Sequence, residues 1–371
     1  MHVHTHDVSL DGSSLRCQLT SYHFGTPGRG KKVYIQASLH ADEVPPMLVA
    51  QFLRKELARL EAHLTGEVIL VPAANPLGLA QAIQGTPFGR FDLTTGTNFN
   101  RAFRHVAQDL KTSLEGRLGA DAQANAALVR EHARASLERW TVCNDAEALK
   151  KILLTMAIDA DIVLDLHCDN EAVIHLYTGT PLAGQIMPLA ALLQAHAVLL
   201  AREGGGEPFD EACSRLWWDL AEHFGAATPI PDNGCLAATV ELRGEMDVRY
   251  DYAEGDAKVL IQFLAHAGVI DIPTEQLPAP LCQPTPLEGV QPVTAPHNGV
   301  LVMLRKLGDQ VKAGDTVADL INPVSGHTTA LKASVDGVLF ASTAHRHLLR
   351  GMAVAKVAGA TAYRSGNLLS D

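Results

Sequence analysis

Apolar and polar positions along this chain switch repeatedly between a two-residue and a helical period. Residues 33–39 form a β-branched, apolar run that predicts a strand. Leu48, Phe52, Leu53, Leu57 and Leu60 then recur at helical spacing, behind Pro45 and Pro46, which suit a first helical turn. EVILVPA (67–73) predicts the next strand, and Asn75-Pro76 a turn after it. Strand, helix and strand in close succession make an α/β unit. Residues 105–158, rich in Ala, Leu, Gln, Glu and Arg, predict helices inserted before the next strand. DIVLDLH (161–167) is nearly all apolar, as a strand covered on both faces would be, and AVIHLYTG (172–179) predicts another. Residues 187–205 read as one helix stopped by the glycines at 204–206. Residues 211–224 and 252–268 predict helices on either side of a strand at AATVELRG (237–244).

The texture then changes. Residues 272–296 hold seven prolines, the mark of a linker. Beyond them come short β-like runs broken by glycines, GVLVMLRKLGDQVKAGDTVADL, VDGVLFAS and GMAVAKVAG. The expected organisation is an α/β domain over 1–271 with a helical insertion at about 105–158, a linker over 272–292, a small all-β domain over 293–360 and a tail over 361–371.

With 371 residues, 47% hydrophobic and 19% charged, the chain can bury a large core and fill more than one domain. The formal net charge of -11 argues against a nucleic-acid partner, whose phosphates would be repelled, but leaves room for a small anion bound by local arginines. Six scattered cysteines without a CxxC pair suit a reducing cytoplasm. The first ten residues, MHVHTHDVSL, lack the basic and apolar regions of a signal peptide. No apolar run approaches the roughly 20 residues needed to span a bilayer, so no membrane partner is expected. His2, His4 and His6 share one face of a ragged, polar first strand.

Candidate chemistry gathers where these strands end. His40-Ala41-Asp42-Glu43 follows the first apolar run, His167 ends DIVLDLH, and Glu241 lies in ATVELRGE. Two imidazoles and a carboxylate can hold zinc with one position left for water, and a further glutamate can carry the proton. Taken singly, His40 reads equally as a solvated loop histidine, Glu43 as a helix amino-terminal carboxylate and His167 as a buried histidine satisfied by backbone. Their common place at the carboxyl ends of predicted strands, where sites form in α/β sheets, favours the metal. Asp165 shares a strand face with His167 and can orient it or be satisfied within the strand edge; Asp42 is a weaker candidate. A buried Glu241 is costly unless used or paired, here with Arg243. Asn100 and Arg101 offer an amide and a forked guanidinium to a carboxylate, and Arg90 can polarise a carbonyl or stand as a surface charge.

HADE at 40–43, NFNR at 98–101, DLH at 165–167 and VEL at 240–242 occur in an order that resembles the succinylglutamate desuccinylase/aspartoacylase family. The resemblance covers about residues 30–265 and implies the zinc-carboxypeptidase-like fold, an α/β mixed sheet flanked by helices. It also implies one zinc ion held by His40, Glu43 and His167, with Glu241 as general base. Asn100 and Arg101 would match the family's grip on a substrate carboxylate, and Arg90 its carbonyl-polarising arginine. Asn98-Phe99 stand where members often carry Asp-Leu, the loop from Arg90 to Arg101 is longer than usual, and residues 105–158 are an addition expected to cap the cleft.

GDQVKAGDTVADL (308–320) and VDGVL (335–339) resemble the turns of biotinyl/lipoyl-like barrel-sandwich domains. The carrier position reads NPVSGHTTALKA without Met-Lys-Met, and Lys332 lies too near the next strand, so no attached prosthetic group is expected. The β domain is expected to shield the active-site mouth or to mediate assembly into a homo-oligomer. The expected activity is zinc-dependent hydrolysis of the amide of a small N-acyl amino acid. The alternatives are a metallocarboxypeptidase acting on peptides and a non-catalytic binding protein that keeps the zinc fold.

Overall fold

A computed structural model describes residues 1–12 and 16–369; Ser13, Ser14 and Leu15, and the last two residues of the expected tail, Ser370 and Asp371, lie outside the described residues. Strand β1 (His2–Asp7) pairs antiparallel with β2 (Gln18–Gly25), and β3 (Lys32–Ala37) lies parallel to β4 (Glu67–Val71). Helix α1 (Pro45–Arg59) connects them, its prolines in the first turn where a missing N–H leaves no bond unmade. Asn75 caps the single-turn helix α2 (Pro76–Leu79) by accepting Gly78 N–H at 2.8 Å. A small hairpin of β5 (Ala82–Ile83) and β6 (Thr86–Pro87) follows, then helices α3 (Ala107–Ser113), α4 (Ala122–Glu138) and α5 (Asp145–Ala157). Next come β7 (Ile162–Asp169), β8 (Glu171–Ala172), β9 (His175–Gly179), α6 (Ala183–Leu193) and β10 (Ala197–Ala201). Helix α7 (Phe209–Phe224), β11 (Leu236–Gly244) and α8 (Tyr250–His266) complete the α/β part.

The large sheet is mixed, in the order β1-β2-β4-β3-β7-β11-β9-β10, with β12 (Thr285–Pro286) from the proline-rich segment on its edge. Side-chain alternation splits it into two faces. Val33, Ile35, Leu164, Leu166, Ala238 and Val240 pack against α1, α6 and α8. Tyr34, Val163 and Ala237 face the other way, into a second core built with α3, α4, α5 and α7. Toward the carboxyl ends of β7 and β11 this second face turns polar, at Asp165, His167, Thr239 and Glu241. Among the described residues no helix is long and apolar enough to cross a membrane.

Residues 187–205 depart from the single helix that their composition predicts. Helix α6 stops at Gln194, whose φ of 51° is left-handed, and AVLLA becomes β10. Helical spacing and a short apolar run look alike there. The buried AVLLA segment gains ladder bonds from β9 on one side and β12 on the other. The helices at 105–158 also differ from the expected cap. They pack into the second core, and none of their residues lines the cleft described below.

After the proline-rich segment the chain is all β: β13 (Val290–Thr294), β14 (Gly299–Met303), β15 (Gln310–Val311), β16 (Thr316–Ile321), β17 (Thr328–Lys332), β18 (Gly337–Ser342), β19 (His347–Leu348) and β20 (Ala353–Gly359). One sheet runs β13-β20-β18-β15 and the other β17-β16-β14-β19, around a core that includes Leu301, Val317, Leu320, Leu339 and Val357. The first sheet takes β8 of the α/β part as a further strand beside β18. A separate apolar cluster, with Leu199, Leu287, Phe340 and Ala341, joins the two parts.

Candidate active site

The loop after β3 presents His40 and Glu43, β7 presents His167, and the β7–β11 register sets Glu241 directly beside His167. The Glu43 carboxylate lies between the two imidazoles, 2.7 Å from His40 Nδ1 and 2.8 Å from His167 Nδ1, and accepts Cys168 N–H at 3.1 Å. One ligand atom from each of His40, Glu43 and His167 falls within 4.8 Å of the others. Each opposite ring nitrogen faces an oxygen, by a hydrogen bond at His40 and by an ion-pair contact off hydrogen-bond geometry at His167. His40 Nε2 is 2.8 Å from Asn98 Oδ1, and His167 Nε2 is 3.0 Å from Asp165 Oδ2. Gln36 donates to Asp165 at 2.9 Å and Tyr34 donates to Gln36 at 2.9 Å, so the orienting carboxylate is itself fixed. Asn98 and Asp165 do the orienting; Asp42 lines the cleft.

Two nitrogens and a carboxylate, buried and braced through their outer atoms, fit the donor set of zinc. Burial opposes the charge of Glu43, but His167 and His40 outweigh it and hold the carboxyl below its usual range. Burial likewise opposes the charge of His167, and Asp165 and Glu43 outweigh it, holding that imidazole well above its usual value. Burial and then Arg90 push His40 the other way, toward the neutral ring. Glu241 is pushed up to about 8 by burial and by the Glu43 carboxylate. Its Oε2 is buried and has no hydrogen-bond partner among the described residues. Arg243 does not provide one: its guanidinium binds Asp256 at 2.7 and 2.9 Å.

Arg90 reaches the same point, its Nη1 3.5 Å from Glu43 Oε1 and 3.3 Å from His40 Nδ1. Asn100 Oδ1 accepts Phe209 N–H at 2.9 Å and so closes the first turn of α7. Arg101 donates to Asn100 O at 2.7 Å and lies against Gly206, where a Cβ would come within 2.6 Å of Arg101 Cδ. His40, Glu43, His167, Glu241, Arg90, Asn100 and Arg101 thus line one cleft of about 1030 Å³, while Asp165 stands behind it.

The structure adds groups that sequence reasoning missed. The β domain forms one wall of the cleft with Thr343, His345 and Met352 to Lys356. Lys356 extends its ammonium to within 2.5 Å of Asp169. The available signal was a lone lysine inside the apolar run GMAVAKVAG. Asp210 and Glu211, at the start of α7, also line the cleft; burial pushes them up to about 6 and about 8 respectively.

Residues 29–142 match the family model described as the succinylglutamate desuccinylase/aspartoacylase catalytic domain. These residues belong to the succinylglutamate desuccinylase/aspartoacylase family. Solved structures extend the likeness to nearly the whole chain. A protein of this family from Shewanella amazonensis SB2B is 29% identical over 96% of this chain and 98% of its own, with a TM-score of 0.82. A second, from Shewanella frigidimarina NCIMB 400, is 26% identical over 96% and 97%, with a TM-score of 0.81. The ectoine utilization protein EutE from Ruegeria pomeroyi shares the fold at 18% identity, over 96% and 95%, with a TM-score of 0.66. No curated protein matches the sequence. Desuccinylases and aspartoacylases are hydrolases, and the likeness supports a hydrolase at that general level.

Proposed function

We propose that the protein hydrolyses the amide bond of a small N-acyl amino acid, with one zinc ion held by His40, Glu43 and His167. The observation that carries this reading is Glu241, a half-buried residue whose buried Oε2 has no partner among the described residues, registered beside His167 near the converging ligand atoms. When bound, zinc supplies Lewis acidity that activates water and polarises the acyl oxygen. Glu241 takes the proton of the attacking water and delivers it to the nitrogen of the departing amine. With zinc bound, the Glu43 charge that helps raise this carboxyl is offset, leaving Glu241 ionised to take that proton, while burial favours its holding it until the amine leaves. Arg90, at the edge of the metal site, stabilises negative charge growing on the acyl oxygen. Arg101, with Asn100, binds a carboxylate of the substrate.

The wall supplied by the β domain narrows one side of the cleft, which supports a small amide over the peptide substrate of a carboxypeptidase. The unpaired Glu241 argues against a protein that merely keeps the fold. The six free thiols and the acidic charge suit a cytoplasmic enzyme without a nucleic-acid partner. The decisive experiment is Glu241→Gln, assayed on N-acetyl and N-succinyl amino acids with zinc content measured alongside. Turnover should fall by at least about 100-fold with zinc still bound. Near-wild-type turnover would falsify the role of this base.

A further inference from the structure

The cleft continues past the metal site into an apolar arm. Tyr177, Leu199, Ala201, Leu287, Ala341 and Leu369 line it, and the same six belong to the apolar cluster that joins the α/β part to the β domain. Its position follows from sheet register. Asp165 of β7 pairs with Thr239 of β11, Thr239 with Tyr177 of β9, and Tyr177 with Leu199 of β10. Three strand spacings separate Asp165 from Leu199, about 14 Å. Leu199 therefore lies well to one side of the strand that carries His167, and the wall there is mostly carbon, with Lys356 near the Tyr177 ring at its edge.

Arg101 lies at the edge of this arm, against Gly206 in the loop that follows β10. Asp210 and Glu211 act on Arg101 from the start of α7, and Glu211 is anchored by Gly204 N–H at 2.5 Å. Asp210, pushed up only to about 6, is ionised at neutral pH and disfavours an acidic side chain there, and the apolar cluster rewards a hydrocarbon one. We infer that the protein selects N-acyl amino acids whose side chain is large and apolar, with the α-carboxylate on Arg101 and the side chain in the arm formed by Leu199, Ala201, Leu287 and Leu369. This rests on the amide-hydrolase reading above and specifies its substrate.

The test uses the full-length, zinc-loaded protein and N-acetyl derivatives of alanine, leucine, phenylalanine, aspartate and glutamate, with a second series that varies only the acyl chain on alanine. kcat/KM should be higher for leucine and phenylalanine than for aspartate and glutamate by on the order of tenfold or more. Ala201→Leu should shrink the arm and lower the phenylalanine-to-alanine ratio of kcat/KM by about tenfold. Leu369→Ala, outside the main cores, should shift the same ratio without threatening the fold. A preference for aspartate or glutamate, equal rates across side chains, or selectivity that follows the acyl chain instead overturns the inference while leaving amide hydrolysis intact. Absence of turnover on every member overturns both.

Discussion

Lys356 on β20 places its ammonium 2.5 Å from Asp169 Oδ2, two residues beyond His167 on β7. The contact ties the β domain to the strand that presents a metal ligand. A second tie lies alongside it, where Arg346 Nη2 meets Glu171 Oε1 at 2.5 Å and Ser342 donates to Glu171 at 3.0 Å. Lys356→Met leaves Asp169 charged and part-buried without its partner, a loss below the about 3–5 kcal/mol of a fully buried pair. The variant should melt lower and lose more than about tenfold in kcat/KM, while Lys356→Arg recovers part of both. Melting curves and steady-state kinetics on the same preparations check this. An unchanged kcat/KM in Lys356→Met would show that the β domain does not brace the site.

Zinc uptake should depend on pH through His167. Without metal, Asp165 and Glu43 keep this imidazole protonated above its ordinary range, and zinc must displace that proton. Affinity therefore tightens as pH rises, by about tenfold per unit for each proton released, until the raised pKa is passed. Competition titrations against a chromophoric chelator at several pH values measure the slope. A flat profile would mean that His167 is already neutral or does not bind the metal.

The braces behind the ligands should matter nearly as much as the ligands. Asn98→Ala removes the acceptor 2.8 Å from His40 Nε2, and Asp165→Asn weakens the hold on His167. Each should cost about 10–100-fold in zinc affinity or activity. Equilibrium zinc binding separates the two effects, since a fall in kcat alone at full zinc occupancy would place these residues in substrate handling.

Gly89 should tolerate no side chain. A Cβ there would stand 2.2 Å from Asp42 N and 2.6 Å from Ala41 C, inside the loop that carries His40 and Glu43, and Gly89 O accepts Ala41 N–H at 3.0 Å. The neighbour is backbone and must move. Gly89→Ala should destabilise by about 1–3 kcal/mol and weaken zinc binding together. Denaturant unfolding combined with metal analysis tests the pairing of the two losses.

The centre of this site was legible because its parts end strands. His40, His167 and Glu241 each interrupt or terminate an apolar run, and a polar group there signals a use. The two prolines that start α1 and the strand at 162–169 were legible for the same local reasons. What stayed hidden depends on distant contacts. Strand β10 is a strand because β9 and β12 flank it, which no five-residue window reveals. Lys356 reaches Asp169 from 187 positions away, and its apolar run gave the only local hint. The helices at 105–158 carried composition but no address, and their packing against the second core follows from sheet order.

Glu211 gives stability itself a pH dependence. Burial and then Asp210 push its carboxyl up to about 8, while in the unfolded chain it returns to its ordinary value of 4.5. Between these values the folded protein holds a proton that the unfolded chain has released, so stability falls as pH rises through that window. Below it both states are protonated and the penalty is absent; above it both are ionised and the penalty is complete. Glu211→Gln keeps an oxygen for Gly204 N–H and removes the titration. Unfolding free energies from denaturant titrations at intervals from pH 5 to pH 8 should therefore decline less steeply in Glu211→Gln than in the wild type. The gap should widen toward pH 8. Some decline remains in both up to about pH 6, where Asp210 titrates in the fold. Parallel curves across the whole range would show that Glu211 is ionised in the folded protein, with a cation holding its charge.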